Sequence, residues 1–91
     1  MSWRVELAHL PAPLADGFIE SYACWCEEAV EVRRAYHHWQ GSGGAESATA
    51  FADYQVALDR EELAAAVFRA RVERISAELT AARDRVIQAL R

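Results

Sequence analysis

Ninety-one residues, 53% of them hydrophobic, bound this chain to one domain with a core near the size at which oligomerisation becomes useful. The formal net charge of −4 argues against general nucleic-acid binding, which relies on neutralising phosphates. No apolar run is long enough to span a bilayer, and the opening Met-Ser-Trp-Arg-Val-Glu-Leu lacks the basic and apolar regions of a cleaved signal peptide. The expected location is cytoplasmic, or exported by a route that needs no such peptide.

In chain order, residues 1–17 contain Pro11, Pro13 and Gly17, which oppose a helix, so they are expected to form an N-terminal arm. Trp3, Val5 and Leu7 alternate with Arg4 and Glu6, a pattern that suits an extended strap on an apolar surface or a frayed tail. Asp16 is the expected N-cap of a first helix over about residues 18–40. Its apolar seam is Phe18, Tyr22, Trp25, Ala29, Val32, Tyr36 and Trp39, at alternating spacings of four and three. The Gly-rich segment 41–45 is the expected hinge, with Gly44 or Ser47 as the next cap.

A second helix is expected over about residues 46–90, free of Pro and Gly, and the whole hairpin over 18–91. One seven-residue ladder in it is Phe51, Leu58, Ala65, Val72, Leu79 and Val86. A second, three residues on, is Tyr54, Glu61, Phe68, Ile75, Ala82 and Ala89. Antiparallel pairing then sets Trp39 against Phe51, Tyr36 against Tyr54, Trp25 against Ala65 and Tyr22 against Phe68, always with residue numbers totalling 90. The fold class is therefore all-α: an antiparallel, coiled-coil-like two-helix hairpin with a long second helix, completing a helical bundle by oligomerisation. At the standard rise the first helix is roughly 35 Å long and the second roughly 70 Å. The uncovered half carries Ile75, Leu79, Val86 and Leu90, and a further apolar line of Val56, Leu63, Val67 and Ala70 runs away from the seam. These eight residues are the expected partner-binding set, because contiguous apolar surface marks an interface. The expected partner is protein, either a second copy or another helical chain.

No catalytic residue, cofactor site or metal site is expected. Cys24 and Cys26 stand as Cys-x-Cys within a helix, a spacing structural zinc sites do not favour, and two residues apart they cannot bridge each other. Helical phase puts Cys24 among Glu20, Glu27, Glu28 and Glu31, and Cys26 beside Ile19, Ala23 and Val30 as a buried small side chain. His37 and His38 complement the dipole at the first helix's C-terminus. A di-iron bundle needs Glu-x-x-His on a helix, and here that spacing occurs only at Glu6 and His9, in the arm. Glu61, the one charge in the seam, is read as fixing register through an ion pair with Arg33. The Arg residues of the C-terminal third interleave with acids, as on a solvated face.

At the hinge the chain reads Trp39-Gln40-Gly41. A helical hairpin of about a hundred residues with Trp-x-Gly at its turn resembles the WXG-motif proteins of type VII secretion. That resemblance implies a small helical protein exported folded, working in a homo- or heterodimeric four-helix bundle, with Trp39 and Gly41 as its motif residues and Phe51 as a looser match. No Tyr-x-x-x-Asp/Glu tail follows the second helix, so an export signal would come from a partner. The alternative is a cytoplasmic accessory subunit that docks its second helix onto a larger complex.

Overall fold

The computed structural model describes residues 10–91 as two helices, α1 (Ala12–Gly41) and α2 (Ala45–Ala89), packed antiparallel. They form a rod of 72 × 20 × 17 Å. The expected arm is shorter than the prolines suggest. Pro11 caps α1 in an extended conformation, its carbonyl accepting from the Leu14 and Ala15 N–H groups at 3.0 and 3.3 Å. Pro13 then falls in the first turn, where a missing N–H costs nothing because no intrahelical acceptor exists for it. Asp16 and Gly17 consequently lie inside the helix rather than before it. The expected strap of Trp3, Val5 and Leu7 lies outside the described residues, as do Glu6 and His9.

The connection is Ser42-Gly43-Gly44. Ser42 closes α1 by donating both its backbone N–H (3.1 Å) and its hydroxyl (2.7 Å) to the Trp39 carbonyl. Gly44 stands at φ 60°, ψ −135°, a backbone region that essentially only glycine occupies, and its carbonyl accepts from Ser47 N–H at 3.3 Å to begin α2. Of the two expected caps, Gly44 fills the position. Gly41 has ordinary helical geometry with open space around it, so the turn does not require glycine there.

The expected register holds. Trp39 packs on Phe51 with ring centroids 4.8 Å apart, Tyr36 on Tyr54 at 5.5 Å, and Tyr22 on Phe68 at 5.6 Å. The helices are nevertheless rotated from the expected seam. Ala50, Ala57, Ala64 and Ile75 are the buried apolar residues among those described, and Ser21 the buried polar one. The ladder that faces the other helix in α2 is thus 50, 57, 64, one residue before the bulky ladder of Phe51, Leu58 and Ala65. In α1 the same shift brings in Ser21, Glu28 and Ala35, one residue before Tyr22, Ala29 and Tyr36. Small side chains in mid-seam let the helix axes approach, since interaxial distance follows the size of the residues at the contact. The larger side chains then pack along the flank. Both helices rotate together, so the facing numbers are unchanged.

Further along, this small ladder meets Arg71, whose guanidinium lies on Gly17, 3.4 Å from where a Cβ would stand. The absent side chain leaves room for the arginine inside the α1–α2 contact. The earlier start of α1 also changes the end of the rod. Ile75, expected in the uncovered half, is only 8% exposed, because the register brings the first turns of α1 opposite it.

Candidate functional site

The rotated seam leaves large apolar side chains on both of its flanks. On one, α1 supplies Tyr22 and Tyr36 and α2 supplies Phe51, Leu58 and Val72, with exposures between 37% and 52%. The seven-residue spacing keeps each set on one face. The Trp39, Tyr36 and Tyr54 rings pack against one another at the hinge end, and Trp39 stacks on Tyr54 at 5.5 Å and 17°. Midway, Phe68 is the centre of a second aromatic group, with Phe18, Tyr22 and Trp25 all within 5.6 Å of it. Phe51, Leu58 and Val72 were expected in the buried seam, and the structure moves them outward. The signal in the sequence was the adjacent ladder of Ala50, Ala57 and Ala64, which has the same period and smaller volume.

The other flank holds much of the expected partner-binding set. Leu63 and Val67 line a depression with Ser21, Cys24 and Glu28, and Val56 lines a neighbouring one. They border the inter-helix groove rather than face away from it. This flank is mixed in charge, with Glu28, Glu31, Arg34, His38, Asp53 and Arg60 around the apolar residues. Ala70 is exposed, Leu79 half-buried, and Val86 and Leu90 are 60% and 82% exposed at the free end of α2. Ile75 leaves the set, being buried within the hairpin.

Glu61, on the Tyr54 ladder, is half-buried midway along the aromatic flank. Its Oε1 accepts from the Trp25 indole N–H at 2.7 Å, whereas the reading from spacing had assigned it to Arg33. Trp25 reaches two successive members of the Tyr54 ladder, stacking on Phe68 at 5.2 Å while bonding Glu61. A carboxylate bonded to an indole in mid-contact fixes axial register by direction as well as by charge. The bond ties the two helices together midway along their length.

Both cysteines are free and exposed, which corrects the expectation that Cys26 is buried. Cys26 lies beside Tyr22 and, by hydrogen bonding and by its charge, holds the Tyr22 phenol above its ordinary pKa, with a smaller part from desolvation. His38 stands in the last turn of α1, as the helix dipole favours, and His37 contacts the Tyr36 ring edge-on at 5.8 Å. Among the described residues, no three His, Cys, Asp or Glu side chains converge as a metal site would need, and no helix is long and apolar enough to cross a membrane. Trp39 is half-buried at the turn, and Gly41 ends α1 with no neighbour. The chain matches no protein-family model, no curated protein and no solved structure.

Proposed function

We propose that this protein is a non-enzymatic helical interaction module that completes its core against a helical partner. The observation that carries this reading is the core itself. Three alanines and one isoleucine are the buried apolar residues described, while thirteen larger apolar side chains remain 37–82% exposed. Full burial of a Val or Leu side chain is worth about 1.5–3 kcal/mol, so finishing the burial of several of them supplies a strong drive to associate. The same logic separates a module of this kind from an enzyme, whose apolar surface would be folded around a pocket.

Within that class, the Trp39-Gln40-Gly41 turn supports a type VII-secretion-like hairpin or its dimer partner. Trp39 fastens the hinge end by packing on Phe51 and Tyr54, a structural reason for an aromatic residue at that point. A second reading, an accessory subunit docking through the end of α2, is favoured by the exposure of Val86, Ile87 and Leu90 beyond the start of α1. The test is thermal unfolding followed by circular dichroism over a hundredfold range of protein concentration, with and without candidate helical partners. A module of this kind melts higher as concentration or partner rises, because association stabilises by mass action. A transition independent of both would count against it.

A further inference from the structure

Resting on the interaction-module reading, we propose that the aromatic flank is occupied by a second copy of this chain, seated antiparallel about a two-fold axis passing by Ala65 of α2 and Cys26 of α1. The first argument is side-chain size. Along the flank ladder of α2, large residues stand symmetrically about Ala65. Turned end for end, Phe51 of one copy meets Leu79 of the other and Leu58 meets Val72, with the two alanines at the axis allowing close approach.

The flank ladder of α1 gives the same axis independently. Tyr22 and Tyr36 alternate there with Ala15 and Ala29. Reversal about a point next to Cys26 sets Tyr22 against Ala29 and Tyr36 against Ala15, large into small at each position. These two centres need not have agreed. Trp25 touches Glu61 and Phe68, which lie on either side of Ala65, so the two centres stand at one level and one rotation satisfies both helices at once.

Charge selects the antiparallel sense. Glu62 and Arg69 border the flank on α2 at nearly equal distances from Ala65, so the rotation brings Glu62 of each copy to Arg69 of the other. On a larger scale, residues 69–91 carry six Arg against three acids, whereas residues 41–68 carry one Arg against five. Antiparallel copies lay the basic end of each along the acidic half of the other, while parallel copies would set like against like.

The axis brings the two copies of Cys26 together and leaves Cys24 on the opposite flank, beside Leu63. A short bis-maleimide applied to the Cys24→Ser variant should therefore link most chains into dimers, and the Cys26→Ser variant should stay unlinked. Glu62→Arg and Arg69→Glu should each weaken the dimer about tenfold or more, and the double exchange should restore it. Sedimentation of the wild-type chain and of the three charge variants separates this inference from the reading beneath it. A wild-type chain that stays monomeric overturns the second copy as occupant. An assembly that links through Cys24 and ignores the charge exchange overturns this face, while leaving the interaction-module reading standing.

Discussion

Trp25 joins two functions in one side chain: it stacks on Phe68 and donates its indole N–H to Glu61. The hydrogen bond is the separable part. Trp25→Phe keeps an aromatic ring but leaves a half-buried carboxylate without its donor. Hydrogen bonds to charged groups contribute about 1.5–3 kcal/mol when shielded, and the partial exposure of Glu61 reduces that to about 1–2 kcal/mol here. Urea unfolding should show that loss, and Glu61→Gln should recover part of it in the Phe background, since the neutral amide costs less to leave unpaired. Unchanged stability in Trp25→Phe would mean that the 2.7 Å contact does not hold the register.

At the scale of the helices, what decides the packing is which of two neighbouring ladders faces inward. The seven-residue period, the hairpin topology, the facing pairs and the extent of α2 were all legible from spacing, because they depend on where apolar residues recur. Rotation about the helix axis was not legible in the same way. Ala50, Ala57 and Ala64 repeat with the same period as Phe51, Leu58 and Ala65, and a periodicity argument that weights by hydrophobic bulk selects the larger set. Close approach of the backbones selects the smaller one. The start of α1 was missed for a related reason: Pro11 and Pro13 read as breakers, but at a cap and in a first turn they begin a helix. That Glu61 makes a polar contact across the helices was legible, and its partner was not, since a tryptophan a turn away is a donor that charge counting overlooks. The inward ladder has a direct consequence. Ala57→Leu should cost about 1–3 kcal/mol through overpacking, whereas Leu58→Ala on the flank should cost the isolated hairpin less. The opposite order in denaturant midpoints would return the bulky ladder to the seam.

At the scale of the whole hairpin, the described residues form a rod 72 Å long and only about two helices across, too thin to surround a large side chain. Two packed helices bury one stripe each, and among the described residues those stripes reach full burial only at Ser21 on α1 and at three alanines and Ile75 on α2. The aromatic flank, the groove beside Leu63 and Val67, and the end of α2 are what such a thin layer leaves uncovered. The charge is divided along the same rod, with acids towards the hinge half and arginines towards the free end. In the proposed dimer, apolar surface supplies the drive to associate, and divided charge supplies the sense of association. Sedimentation equilibrium of the purified chain tests this account most directly, with helicity recorded on the same sample. The account predicts a mass of about twice the 10.2 kDa chain or more. A fully helical, non-aggregating species sedimenting at 10.2 kDa across the micromolar range would contradict it.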